Sequence, residues 1–148
     1  TERNTPVSGW QIALVGINDP GNLGTIIRIA DWYGINTIYC SSNTVDFYNS
    51  KVIQSTMGSF LRVNVIQGDL TELLAGKDVY ATLLDGENIR TLAKPTGGVL
   101  LIGNEANGIE KETLNNVKHT PITIPGNGNT ESLNAAMATA ICCERLIG

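Results

Sequence analysis

Apolar strand-like runs alternate with helical segments along all 148 residues, which predicts an α/β domain: a mainly parallel sheet with helices on both faces. Three observations carry this. Residues 11–17 (QIALVGI) run without polar alternation, as strands covered on both faces do. Leu23, Ile26, Ile27 and Ala30 recur at helical spacing directly after that run. Glycine- and asparagine-rich loops stand where several strands end, the edge at which such sheets collect ligands.

Residues 1–9 are polar, with Pro6 and Gly9, and read as a linker or the end of an upstream segment; residues 10–148 form the domain. Strand one is 11–17. Asp19, Pro20 and Gly21 make a turn, Asn22 is placed to cap the first helix, and Gly34 ends it. Residues 37–40 are the second strand, 41–50 a polar connector and 51–56 a helical turn. Residues 63–66 are the third strand and 70–75 a short helix closed by Gly76. Residues 79–84 and 99–102 are strands four and five, and 109–117 a helix. Residues 122–124 are strand six, ended by Pro125, which has no N–H to donate. Gly126 and Gly128 let the following loop turn tightly and approach a ligand closely. Ser132 is a good N-cap for the last helix, 132–146, where Leu133, Ala136, Met137, Ala140 and Ile141 fall at helical spacing. That helix is apolar nearly all round as far as Glu144, which fits burial on more than one side.

Composition limits the function classes. Hydrophobic residues make up 42% and charged residues 16%, as in a globular domain. No apolar run approaches the ~20 residues that span a bilayer. Cys40, Cys142 and Cys143 lack metal-ligand spacing and sit in apolar runs, so reduced thiols in a cytoplasmic protein are expected and no metal site is. A net charge of −4 argues against unaided nucleic-acid binding.

The loops carry neither GxGxxG nor GK[ST], so neither a dinucleotide fingerprint nor a P-loop is present. His119 has no Ser or Cys partner in a nucleophile motif and reads as structural. Arg28 lies off the buried stripe of its helix, roughly 100° round from Ile27, and faces a cleft or solvent. Its plain alternative is a surface pair with Asp31.

Three segments together carry more. Asn22-x5-Arg28-x-Ala30, Leu101-Ile-Gly-Asn-Glu-Ala-Asn-Gly108 and Ile124-Pro-x6-Ser132-Leu-Asn134 resemble, in order, the three motifs of the SpoU/TrmH branch of the SPOUT RNA methyltransferases. The resemblance runs from Ile12 to Leu146. It implies a C-terminal trefoil knot, otherwise nearly absent from proteins. It implies S-adenosylmethionine held by Gly103, Ile124 and Leu133, with Leu84, Asn104, Pro125 and Asn134 beside them. It implies methyl transfer to a ribose 2′-hydroxyl of rRNA or tRNA, with Arg28, Asn22, Glu105, Ser132 and Asn134 as catalytic candidates. It also implies a homodimer with a pocket shared between subunits. A non-catalytic nucleotide- or RNA-binding α/β domain is the alternative. Candidates for a local basic surface are Arg28, Lys51, Arg62, Arg90 and Lys94.

Overall fold

β1 (Trp10–Val15) explains its own composition: Ile12 and Leu14 pack into one helical layer, Ala13 and Val15 into the other. A strand covered on both faces has no use for polar alternation. The computed structural model describes residues 9–46, 50–56, 58–104, 109–126 and 133–148. Around β1 stand β2 (Thr37–Ser41), β3 (Asn64–Gly68), β4 (Val79–Asn88), β5 (Gly98–Gly103) and β6 (Thr120–Thr123). The sheet order is β3-β2-β1-β5-β4-β6, and every adjacent pair is parallel. The chain builds outward from β1 through β2 and β3, then fills the other side. β1 and β5 therefore flank the switch point, paired from Trp10↔Gly98 to Val15↔Gly103.

The helices are α1 (Pro20–Trp32), α2 (Ser50–Thr56), α3 (Leu70–Leu73), α4 (Lys111–Asn116) and α5 (Ala135–Leu146). Residues of α1, α2 and α5 share one core with Ile12, Leu14, Ile38, Leu100, Ile102 and Ile122. Leu70 of α3, with Leu74, Ile109 and Val117 from the turns beside α3 and α4, shares the other with Ala13, Val15, Tyr39, Val99 and Leu101. The expected α/β sheet with helices on both faces is what the chain builds.

Two helix starts differ from the sequence reading. α1 is capped by Asp19, not Asn22: its Oδ1 accepts from Gly21 N at 2.8 Å, and Pro20 takes the first helical position. A proline there gives up an N–H that would have had no partner. Asn22 is thereby placed inside the first turn. α5 is capped by Asn134, whose Oδ1 accepts from Ala136 N at 2.8 Å and Met137 N at 3.2 Å. Ser132, the expected cap, lies outside the described residues.

The face of α5 is also turned from its expected setting. Ala135, Ala136, Thr139, Cys142, Cys143 and Leu146 face inward, whereas Leu133 before it and Met137 and Ile141 on it are 40%, 56% and 39% exposed. Small side chains suit the inward face because α5 packs against both α1 and β5. Thr139 can be buried there because its hydroxyl donates to Ala135 O at 2.8 Å. Burial pushes the three thiols up to about 12, so all three cysteines are protonated, free and inert.

β4 does something unusual at β6. Thr82 and Glu87 both register with Ile122, all three strands of chain running the same way. One residue has two edges in a sheet, and two partners cannot share one edge. The first half of β4 therefore lies along one edge of β6 and its end along the other, with residues 83–86 crossing between. Ile89 N donates to Thr123 O at 3.1 Å on the far side. The crossing is so close that a Cβ on Gly86 would stand 2.7 Å from both Pro121 C and Ile122 N.

That contact is backbone and cannot yield by rotating a side chain. Gly86→Ala should destabilise the fold by about 1–3 kcal/mol, the usual cost of overpacking, measured as a lower midpoint in urea. Gly126→Ala, at a site with nothing within 4 Å of the added carbon, should shift stability by no more than about 0.5 kcal/mol.

Candidate active site

All six strands run parallel, so β1, β5, the first half of β4 and β6 present their carboxyl ends along one edge in that order. Gly103 closes β5 and Asn104 follows, both half-buried. Asn104 Nδ2 donates to Gly16 O at 2.8 Å, joining the loop after β5 to the loop after β1 across the switch point. At the crossing of β4, Leu84 is 81% exposed, and Leu133 lies uncovered before α5. Ile124 and Pro125 are half-buried between solvent and core. Thr123 Oγ1 donates to Leu84 O at 3.2 Å, fixing the end of β6 to the crossing of β4.

Asn22 and Asn134 meet directly: Asn134 Nδ2 donates to Asn22 Oδ1 at 3.1 Å. One side chain thus caps α5 with its oxygen and grips α1 with its nitrogen. The other ends of the two helices are tied by Tyr33 Oη, which donates to Glu144 Oε1 at 2.6 Å. That hydrogen bond, with lesser help from burial, pushes the phenol up to about 12. The proton is held more firmly in the folded chain than its ordinary value of 10.0. The tie is therefore whole below pH 10 and is lost as pH rises through about 12.

Arg28 is placed differently from the other polar candidates. It lies on the solvent side of α1, roughly 120° round the helix from Asn22, and among the described residues it has no charged or hydrogen-bonding partner. The surface pair with Asp31 does not form. Asp31 is held by Arg62, with Nε at 2.9 Å from Oδ1 and Nη2 at 2.8 Å from Oδ2, and by the Ser59 hydroxyl at 3.0 Å. A planar fork on a carboxylate outcompetes a three-residue neighbour on the same helix. Glu105 and Ser132 lie outside the described residues.

His119 stands at the opposite edge of the sheet, its Nδ1 2.8 Å from Val117 O. It borders an open cavity of about 500 Å³ with Lys77, Tyr80 and Lys118. No described residue of the three motifs lines that cavity. Among the described residues no cluster of acids, histidines and cysteines could hold a metal, and no helix is long and apolar enough to cross a membrane.

Sequence reasoning missed two contributors to the site. Asp19 was legible, because Asp-Pro-Gly is a cap followed by a first-turn proline. Ser41, at the end of β2, gave no signal; its hydroxyl receives Gly16 N–H at 2.8 Å.

The sequence profile of the SpoU rRNA Methylase family matches residues 9–144, nearly the whole chain. The chain belongs to that family. A 23S rRNA (guanosine(2553)-2'-O)-methyltransferase of Bacillus subtilis is 35% identical over 138 residues, 89% of this chain and 55% of that protein. A 23S rRNA (uridine(2479)-2'-O)-methyltransferase of Streptomyces viridochromogenes is 31% identical over 84% of this chain and 48% of its own length. Among solved structures, a TrmH-family protein of Porphyromonas gingivalis superposes with a TM-score of 0.86 at 36% identity, covering 98% of this chain and 61% of that one. An AdoMet-bound rRNA methyltransferase of Sinorhizobium meliloti does so with a TM-score of 0.84 at 32% identity, over 95% of this chain and 56% of that one. The chain spans about half the length of the curated relatives it matches.

The double use of Asn134 in this SpoU domain can be separated by substitution. Asn134→Asp keeps the oxygen that caps α5 and loses the amide that grips Asn22. It should stay within about 0.5 kcal/mol of native stability. Asn134→Ala loses both and should cost about 1–2 kcal/mol, read by thermal unfolding of the two variants side by side.

Proposed function

We propose that this chain is the catalytic domain of an S-adenosylmethionine-dependent RNA 2′-O-ribose methyltransferase acting on rRNA or tRNA. The observation that carries the reading is the hydrogen bond that joins Asn22 of the first motif to Asn134 of the last; Asn104 of the second bonds to Gly16 O, in the loop that leads to Asn22. The cofactor fits what stands there. Leu84, at the crossing of β4, and Leu133, before α5, are apolar side chains left uncovered, and Ile124 and Pro125 after β6 add half-buried apolar surface. Such walls suit the faces of an adenine, and the backbone of Gly103, Ile124 and Leu133 suits its edges. Asn104 and Asn134 border the same pocket.

When bound, the cofactor would supply a sulfonium methyl to the ribose oxygen and leave as the neutral thioether, the hydroxyl proton passing to phosphate or water. The residues of the chain orient and stabilise. Arginine is a poor base, with a pKa above ~12, so Arg28 binds a phosphate near the acceptor and stabilises the developing alkoxide. Its lack of a described partner leaves the guanidinium free for that task. Asn22, Asn134 and, from the motif pattern, Glu105 and Ser132 position the ribose.

The chain works as a homodimer through its first and last helices. Tyr33–Glu144 and Asn22–Asn134 hold α1 and α5 side by side, and their outward faces carry Trp32 at 84% exposure with Leu133, Met137 and Ile141. A second copy is the occupant that fits a face of this kind, since it would also bring a second pocket against Arg28. The placement of β6 between two parts of β4 supports threading of the C-terminal segment as a trefoil knot. Buried free thiols and the proposed RNA substrate support a cytoplasmic setting.

Calorimetric titration with S-adenosylmethionine tests the cofactor assignment. Heat of binding is expected from the native protein and none from a folded Gly103→Val, whose branched side chain would occupy the ligand's place; equal affinity in both would end the assignment. Arg28→Ala should bind cofactor normally and lose methyl transfer by about 10² to 10³, read as 2′-O-methyl nucleosides by mass spectrometry of treated rRNA and tRNA. Transfer at the native rate would refute the role of Arg28.

Assembly has its own reporter, because the chain has two tryptophans and one of them, Trp10, is buried. Dilution through the dimer dissociation range should change the Trp32 emission together with the mass by light scattering. A monomer mass at micromolar concentration would count against a shared site.

A further inference from the structure

We infer that Ser41 is a positioning residue for the acceptor pocket, acting on Asn22 through the peptide of Gly16; this deepens the methyltransferase reading and rests on it. Gly16 follows β1 and is buried, with φ +64, a conformation that L side chains rarely adopt. A buried residue must have both of its backbone polar groups paired. Here both partners are side chains from other loops. Ser41 Oγ accepts the N–H at 2.8 Å, and Asn104 Nδ2 donates to the carbonyl at 2.8 Å. The next peptide is held too, since Val45 N donates to Ile17 O at 2.8 Å.

The serine hydroxyl is itself fully used. It donates to Asn43 Oδ1 at 2.5 Å, accepts from Gly16, and lies 3.1 Å from Thr44 Oγ1, which then acts as donor. One donor and two acceptor sites are all a hydroxyl has. Its orientation is therefore fixed from three directions. Gln67 steadies the loop behind it, donating to Thr44 O at 2.9 Å and Ser41 O at 3.2 Å.

The consequence runs forward along the chain. Gly16 sets the exit of β1, Asp19 caps α1 three residues later, and Asn22 in the first turn meets Asn134. The clamp thus relates the loop after β5, on the cofactor side, to the residue on the acceptor side. Ser41 touches neither Asn22 nor any of the cofactor-side residues. Its loss should move the acceptor groups relative to the methyl group while leaving the cofactor pocket in place. Misplacement on the order of 1 Å can cost about 10² in rate.

The test compares Ser41→Ala, which removes the hydroxyl, with Ser41→Thr, which keeps it. Three readouts are used: the side-chain amide signals of Asn22 and Asn134 by NMR without ligand, the affinity for S-adenosylmethionine by calorimetry, and kcat and KM on RNA. Ser41→Ala is expected to shift both amide signals and to lower kcat by about 10- to 100-fold. Cofactor Kd and RNA KM should stay within about threefold, and Ser41→Thr should recover most of the rate. If Ser41→Ala does not fold, Thr44→Val leaves the hydroxyl one partner short and should lower kcat by a few-fold with the same split. A native kcat, a cofactor Kd that weakens in step with kcat, or a threonine variant as impaired as the alanine one would each overturn the inference. Were the native protein to bind no cofactor and methylate no RNA, the methyltransferase reading would fail separately. The amide signals would then decide the clamp, and signals unmoved by Ser41→Ala would overturn it.

Discussion

Ile122 has a residue of β4 on each side, Thr82 on one edge and Glu87 on the other, and much of the C-terminal half is arranged around that fact. Once residues 83–86 have crossed β6, the chain must return to begin β5 at Gly98. On the way it contributes Ile89 and Leu92 to the core that also receives Ala135, Ala136, Cys142 and Leu146 from α5. The returning segment then gives its carbonyls to the last helix: Arg145 donates to Arg90 O at 3.2 Å and Leu92 O at 3.1 Å. Lys94 donates to Gly148 O at 2.8 Å. β6 and α5 are thus held by chain on both sides, and Thr123 Oγ1 on Leu84 O fixes the end of β6 to the crossing of β4.

The sheet was legible from residue pattern because β1 is buried on both faces and says so with unbroken apolar sequence. Helix ends were less legible. Asn22 and Ser132 are good capping residues by type, but capping depends on which residue reaches the free N–H groups. Asp19 wins at α1 because Pro20 presets the first helical dihedral behind it, and Asn134 wins at α5. The inward face of α5 is hard to read from spacing for a reason of size. Hydrophobic spacing favours large side chains as the buried stripe, whereas a helix wedged between α1 and the sheet buries alanines, cysteines and a self-satisfied Thr139. Met137 and Ile141 are left outside, and a single sequence cannot distinguish an apolar face meant for its own core from one meant for another chain.

Much of the site was legible as motif and little of it as geometry. The motif residues Asn22 and Asn134 lie 112 positions apart, and nothing in local pattern says that one amide nitrogen finds the other's oxygen. Asn104 shows the opposite limit. Its place beside Gly103 suggests a hand on the cofactor, yet its described bond is to Gly16 O. Ser41 was invisible because a serine ending a strand is ordinary, and its worth lies in a buried peptide 25 positions earlier.

Charge places the remaining demand on assembly. A net charge of −4 gives the chain no long-range attraction for RNA, and several of its cations are committed within the fold. Arg62 is bound to Asp31, Arg145 to two carbonyls, Lys94 to Gly148, and Lys77 lies over the Tyr39 ring. Among the described residues Arg28 has no such partner, and it stands on the outward side of α1, turned away from the Asn22–Asn134 pair of its own chain. The same outward side carries Trp32 one turn further on, beside the apolar stripe of α5. The proposed second copy, seated on that stripe, would bring its own pocket toward Arg28. The dimer and the catalytic role of Arg28 are therefore one proposal in physical terms. An arginine that faces away from its own pocket has a use in the chemistry only if another pocket is brought to it.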